Sequence, residues 1–378
     1  MRIAILTSGR YHVCDLAREL AQLGHDVSFY SLVPAHRTSR FGLPAHCNKW
    51  LMPLLAPFYG AYVAARGTRL ESLANRALTV ALDQVAACAV SECELFIGMS
   101  SMSLRTMQTV RRKYGARVFL ERGSRHILSQ QKILATMPDA SPGRPPVPSW
   151  AVDRELEEYA LADAIVVPAK HVAASFLEYG VSAEKLFRNP YGTDVEMFRP
   201  APAPEGEVTT LMTGAWSYQK GCDVLVDAWR RAGKGRLLHV GALAGAPVPS
   251  DARFLHHDAV DQSRLPDFYA QANVFALASR QEGLALVQAQ ALACGLPLVC
   301  TDRTGGEDLA DLVGDPTIAS VVPSGDVVAF ATALGRAVDR AAESPRRRNI
   351  LGAEARRTLS WQGYAERYDS GIRERLGA

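Results

Sequence analysis

Lys220-Gly221 and Glu282-Gly283 are the pairs in this sequence best suited to handling a charged substrate. An ammonium beside a glycine neutralises phosphate while the bare backbone lets its oxygens come close. A carboxylate and a glycine ahead of an apolar helix can hold hydroxyl groups while backbone N–H groups point at an anion. Lys220 closes a turn opened by Gly214, after the strand Val208–Met212 and before the helix Cys222–Arg230. Strand, glycine turn and helix in that order make a phosphate seat; an exposed helix lysine is the plainer alternative. Glu282 and Gly283 are expected where the next helix begins, with Leu284 and Ala285 beside them and Gly295-Leu296-Pro297 at its end. Gln290, eight residues after Glu282, then falls on nearly the same face, roughly 12 Å along the axis. One end would hold a charged headgroup and the other a hydroxylated ring. Periodicity alone favours an ordinary amphipathic helix.

The first half offers a second polar cluster. The strand Val118–Leu120 runs into Glu121-Arg122-Gly123-Ser124-Arg125-His126, at the carboxyl end of a parallel strand, where open α/β sheets bind ligands. Arg122 and Arg125, with Ser124, suit a phosphate or a carboxylate, and His126 a hydroxyl. A surface or capping histidine is the other reading of His126. Thr7-Ser8-Gly9-Arg10 follows the strand Ile3–Leu6 and precedes the helix Cys14–Leu23, a Rossmann-like unit. The full G-x-G-x-x-G is missing, so a dinucleotide site is not supported. Gly9 reads equally as a site glycine, with Arg10 next to it, or as a tight turn.

These residues need two α/β units to position them. The first is expected over residues 1–188, the second over 189–358 with a fresh strand, glycine turn and helix, and a terminal helical segment over 359–378. Asn189-Pro190-Tyr191-Gly192-Thr193-Asp194 marks the hinge. Between Leu32 and Leu70, basic residues alternate with Phe41, Trp50, Phe58 and Tyr59, while Pro44, Pro53 and Pro57 are expected to break any long helix. That segment reads either as an irregular helical hairpin packed on its own domain or as a surface for a membrane or a lipid-linked acceptor. Residues 137–149 are expected to form a Pro/Ser-rich loop.

Several of these stretches together resemble the retaining family 4 glycosyltransferases, whose motif sets a Glu, seven residues, then a second Glu, with E-G-x-G at the start and A-x-A-x-G-x-P at the end. Glu282, Gly283, Ala291, Ala293, Gly295 and Pro297 match; Gln290 stands in place of the second Glu and Ala285 in place of the second Gly. Lys220 matches the family's diphosphate lysine, whereas Ala215 replaces its usual arginine. The resemblance extends through Asn189–Pro200, the turn Thr304–Asp308 and the W-x-x-Y of Trp361 and Tyr364. It implies a GT-B fold, two Rossmann-like domains facing across a cleft, with a C-terminal helix crossing back to the first. It also implies sugar transfer from a UDP- or GDP-sugar to a glycan, lipid-linked or small-molecule hydroxyl, with retained anomeric configuration. Lys220, Glu282 and His126 are its catalytic candidates. Gly9, Gly214, Lys220, Val260, Glu282, Gly283, Leu284, Ala285 and Gln290 would bind the donor, and Arg10, Arg122, Ser124 and Arg125 the acceptor or phosphate. No D-x-D carboxylate pair occurs, and neither a metal nor a cofactor is expected beyond the nucleotide-sugar co-substrate. A catalytically weakened binding protein and a sugar-nucleotide epimerase are the rival readings.

Bulk properties agree with a globular chain: 48% hydrophobic, 21% charged, mean hydropathy −0.03 and net charge +3. The charge is uneven: residues 1–187 carry 21 Lys/Arg against 16 Asp/Glu (+5), the rest 21 against 23 (−2). A mildly basic first half suits an anionic lipid surface or acceptor, although chance asymmetry explains it as well. Seven scattered cysteines without metal spacing are expected to be reduced thiols of a cytoplasmic protein. Met1-Arg2 leads directly into a strand, so no signal peptide is expected. No nucleic-acid partner is indicated.

Overall fold

Ile3-Ala4-Ile5-Leu6 is a strand with both faces covered: Ile3 and Ile5 pack into one hydrophobic core, Ala4 and Leu6 into another on the opposite side. That requirement explains the unbroken apolar run. The computed structural model describes residues 1–139, 146–343 and 348–377. In it this strand, β1 (Arg2–Leu6), belongs to a sheet with β2 (Asp26–Ser31), β3 (Asn48–Trp50), β4 (Leu95–Met99), β5 (Arg117–Glu121), β6 (Ala164–Val167) and β7 (Leu186–Arg188). All are parallel, in the order β3-β2-β1-β4-β5-β6-β7. A second parallel sheet comprises β8 (Thr209–Thr213), β9 (Arg236–Val240), β10 (Phe254–His257), β11 (Val274–Leu277), β12 (Leu298–Thr301) and β13 (Ala319–Val322), in the order β10-β9-β8-β11-β12-β13. In each sheet the strand order reverses once, between β1 and β4 and between β8 and β11. These are the switch points at whose carboxyl ends doubly wound sheets bind ligands.

The two sheets present those carboxyl ends to each other. Arg10, just past β1, donates to Gln262 Oε1 (3.1 Å), just past β10. The loop after β5 meets the loop after β11, where Gln281 donates to Ser124 Oγ. Lys170, beyond β6, donates its backbone N–H to Asp308 (2.9 and 3.1 Å), and Arg188 adds a 2.6 Å ion pair to the same carboxylate. The chain therefore folds as two Rossmann-like domains across a common crevice, the GT-B architecture. The helix Trp361–Leu376 returns to lie against Tyr11–Gln22 of the first domain, where His25 Nε2 meets Asp369 Oδ1 at 2.9 Å.

Four local expectations need correction. The helix expected at Glu282 begins at Leu286, after an extended Ala285, because Gly283 and Leu284 are tied down by the contacts described below. Glu282 and Gln290 therefore do not share a helix face. Pro53 and Pro57 do not break the segment after β3: Met52–Ala65 is one helix, with Pro53 in its first turn and Pro57 inside it. Proline costs nothing in the first turn, where N–H groups lack partners anyway. Pro57 falls one turn later, and its missing donor is tolerated on an exposed helix. This helix and the next, Glu71–Ala89, pair as a hairpin on the first domain. The helix Ile127–Ala135, directly after the polar cluster, was not anticipated. The Pro/Ser-rich loop is shorter than expected, since Ser149 already opens the helix Ser149–Leu161; residues 140–145 of that stretch lie outside the described residues.

Candidate active site

At the switch point of the second sheet, the turn after β8 and the loop after β11 lock together. Gly221 has φ +64°, and a Cβ there would stand 1.9 Å from the Ala278 carbonyl oxygen. Only glycine lets the lysine turn pass this close to the end of β11. The approach is stitched by Arg280 N–H to the Gln219 carbonyl (2.9 Å) and by Gln219 Nε2 to Gln281 Oε1 (2.8 Å). It brings Lys220 Nζ into an ion pair with Glu282 Oε1, and Ser279 Oγ donates to the same oxygen at 3.1 Å. Both side chains are partly accessible, 27% for the lysine and 13% for the glutamate, so the pair can open to a ligand.

Gly283 is a point of close approach between the domains. A Cβ on it would lie 1.8 Å from the Gly123 carbonyl oxygen, across the crevice. Its own carbonyl accepts from His171 Nε2 at 2.8 Å, which fixes the proton of that imidazole on Nε2. Nδ1 is left facing Arg125 Nη1 at 3.4 Å, and Arg125 also donates to the His171 carbonyl at 3.0 Å. Burial, despite the Gly283 hydrogen bond, pushes the His171 pKa down to about 4, so the ring is neutral at physiological pH. Leu284 packs against Gly305, and Ala285 N–H donates to the Thr304 carbonyl (3.1 Å) immediately ahead of the helix Leu286–Ala293.

The remaining candidates divide between the crevice and the interior. Gly9 lies in the turn after β1, where its N–H and carbonyl both meet Thr7 Oγ1 (3.3 and 3.1 Å). Arg10 lies over the Phe41 ring and reaches both Asp15 (3.6 Å) and Gln262. Gly214, with φ +126°, accepts from His239 Nε2 (2.8 Å), and Val260 is half-buried between β10 and Gln262. Gln290 is buried, and its Oε1 accepts from the Tyr269 hydroxyl at 3.0 Å. What Gln290 retains for a ligand is thus an amide donor. Arg122 is buried between Glu155 (3.2 Å) and Gln130 (2.6 Å). Burial opposes its charge, but Glu155 and Tyr159 raise its pKa above the ordinary value. It is a structural cation. Arg280 is likewise committed, in a two-pronged pair with Asp223 (2.6 and 2.7 Å). Arg125 is different: burial, and then the neighbouring Arg303, lower its pKa, the electrostatics of a place that would welcome an anion.

His126 serves the fold. Its Nδ1 accepts from Leu128 N–H (3.3 Å) at the head of the helix Ile127–Ala135, and its ring stacks on Tyr179 at 4.6 Å and meets Tyr159 and Phe176. Burial and the Arg122 charge hold it neutral, with a pKa of about 4. The histidine at the crevice is His171. The sequence reading missed it, although its place at the start of a helix just past β6 put it on the ligand-binding edge.

Comparison with known proteins follows this geometry. Residues 207–340 match the family model described as "Glycosyl transferases group 1". That match spans 134 of the 378 residues and takes in most of the second domain. A D-inositol 3-phosphate glycosyltransferase of Xylanimonas cellulosilytica is 30% identical to this chain over 251 residues, 58% of the chain and 59% of the relative. A GDP-mannose-dependent phosphatidylinositol monomannoside mannosyltransferase of Mycolicibacterium smegmatis is 29% identical over 236 residues, 53% and 59% respectively. The chain thus spans less than two thirds of the length of these relatives. Sucrose-phosphate synthase of Thermosynechococcus elongatus shares the fold with a TM-score of 0.69 at 20% identity, covering 100% of this chain and 99% of that one. Anabaena HepE, solved with UDP-glucose, gives 0.64 at 14%, covering 99% and 100%.

Proposed function

We propose that this protein is a retaining glycosyltransferase that moves a sugar from a nucleoside diphosphate sugar to an acceptor hydroxyl. The observation that carries the reading is the Lys220–Glu282 pair at the switch point of the second domain, facing the first domain across the crevice. The donor's diphosphate would lie between Lys220 and the N–H groups ahead of the helix Leu286–Ala293, freeing Glu282 to accept hydrogen bonds from sugar hydroxyls. As the bond from the anomeric carbon to phosphate oxygen breaks, the ammonium and amides take up the charge growing on the diphosphate. The acceptor oxygen bonds the same carbon from the same face and gives its proton to the departing phosphate. Nucleoside diphosphate and glycoside leave.

Relatives named for GDP-mannose and a structural neighbour solved with UDP-glucose make GDP- and UDP-sugars the donors to try first. Arg125 of the first domain and Arg303 of the second, whose charge lowers the Arg125 pKa, favour an acceptor that carries a negative charge. The test is nucleoside diphosphate release across a panel of GDP-, UDP- and ADP-sugars, with and without phosphorylated and neutral polyols. Acceptor-dependent release supports the reading. Binding without release for every pair would assign a donor-binding protein instead, as the departures at Gln290, Ala285 and Ala215 suggest. Conversion of the donor sugar with no acceptor present would assign an epimerase.

A further inference from the structure

The helix Met52–Ala65, MPLLAPFYGAYVAA, contains no charged residue, yet only Leu55 of its fourteen residues is buried. A helix apolar on every side normally belongs in a protein core or in lipid. Here it lies on the surface, and with its partner Glu71–Ala89 it exposes Leu54 (64%), Phe58, Tyr59, Val63, Leu70 (62%), Leu73 and Val80, with Trp50 at its foot. An apolar patch this continuous marks an interaction surface.

We propose that this hairpin docks the protein on an anionic lipid bilayer. Charge selects the occupant. From Val27 through Leu70 the sequence has no Asp or Glu but five basic residues, Arg37, Arg40, Lys49, Arg66 and Arg69. All five are exposed, and Lys49, Arg66 and Arg69 adjoin the apolar residues in sequence. Apolar side chains flanked by cations match an interface of acyl chains and anionic headgroups. A second copy of the chain fits poorly, since a two-fold contact would set each basic flank against its twin. The helix lies on the bilayer and does not cross it: fourteen residues reach about 21 Å, short of the ~30 Å hydrocarbon core. Among the described residues no helix is long and apolar enough to span a membrane. The docking face also has a direction. Met52 follows β3 at the carboxyl edge of the first sheet, the edge that lines the crevice, so a docked bilayer would offer lipid-borne hydroxyls to that side.

The experiment is co-sedimentation of the full chain with vesicles of phosphatidylcholine alone or with 30 mol% phosphatidylglycerol, a composition of roughly physiological surface charge. Binding should be about tenfold or more tighter to the anionic vesicles and should weaken with salt. It should be lost in a Leu54→Ser, Phe58→Ser variant and reduced about tenfold or more in Arg66→Glu, Arg69→Glu. These side chains are solvent-exposed, so an unchanged melting temperature should show that both variants fold. No binding to anionic vesicles, or binding that neither variant alters, would overturn the proposal. So would a dimer in sedimentation velocity that the Leu54→Ser, Phe58→Ser variant dissolves, since the patch would then be a protein interface. Vesicle binding needs no donor turnover, so this outcome is separate from that of the proposed transfer reaction.

Discussion

Substituting alanine for Gly283 tests whether closure of the two domains at this point sets the catalytic geometry. A Cβ at 283 would stand 1.8 Å from the Gly123 carbonyl oxygen, whereas ordinary contact begins at 3.4 Å. The crevice must therefore open by 3.4 − 1.8 = 1.6 Å at that point, because the obstacle is backbone and cannot rotate away. The same movement stretches the 2.8 Å hydrogen bond from His171 beyond useful length. A displacement of ~1 Å of an acceptor-bearing domain can lower turnover by about 100-fold, equivalent to ~2.7 kcal/mol of barrier. If the donor's diphosphate sits on the second domain as proposed, nucleotide affinity should stay within a few fold. Steady-state kcat against donor, nucleotide affinity by calorimetry and radius of gyration by solution scattering would separate these effects. Wild-type kcat in a folded Gly283→Ala protein would show that the close approach is irrelevant to chemistry. A matching collapse of nucleotide affinity would show that the damage is to the donor seat itself.

Lys220→Ala should lower kcat by about 10²–10³-fold without a comparable loss of thermal stability, because the Glu282 it leaves behind is partly accessible and keeps Ser279; unchanged turnover would remove the lysine from the mechanism. Gln290→Glu should place a carboxylate beside the Tyr269 hydroxyl and alter affinity for at least one donor, read by thermal shift across the sugar-nucleotide panel. Stability should fall as pH drops from 6.5 towards 4. His126 and His171 have folded pKa values near 4, so in that window the unfolded chain binds more protons, at a cost of ~3 kcal/mol per histidine once both forms are protonated. Glu158 acts oppositely: burial raises it to about 8, so its contribution is full below 4.5 and declines as pH rises through 8. Chemical denaturation from pH 4 to 8 should show a shallower acid limb in a His126→Asn, His171→Asn variant than in the wild type.

The repeating pattern of apolar run, glycine turn and helix was legible because strands covered on both faces leave no room for polar residues. It singled out Lys220 in a turn after one strand and Glu282 after another, but not that the two side chains meet. The register between those loops was not legible. Gly283 reads locally as a helix opening, yet it is set against the carbonyl of Gly123, 160 positions earlier in the chain, and the helix starts only at Leu286. His126 misled for a related reason. A histidine after a strand end looks the same in sequence whether it faces ligand or caps a helix, and the aromatic shell of Tyr159, Phe176 and Tyr179 that decides the matter comes from two later helices. The arginines divide by partners that spacing does not reveal: Glu155 occupies Arg122 and Asp223 occupies Arg280, while Arg125 lies against another cation.

The main chain passes between the domains twice, once through Asn189–Thr193 and once through Leu359–Trp361, and the two passages are bonded together. Thr193 N–H donates to the Leu359 carbonyl (2.9 Å), Trp361 N–H donates to the Thr193 carbonyl (3.2 Å), and a side chain on Gly192 would strike the Ser360 carbonyl. Paired strands of this kind act like the two knuckles of a door hinge, permitting swing about one axis while resisting twist. Removing the chain from Leu359 onward would leave one pin, and the leaves could then meet out of register.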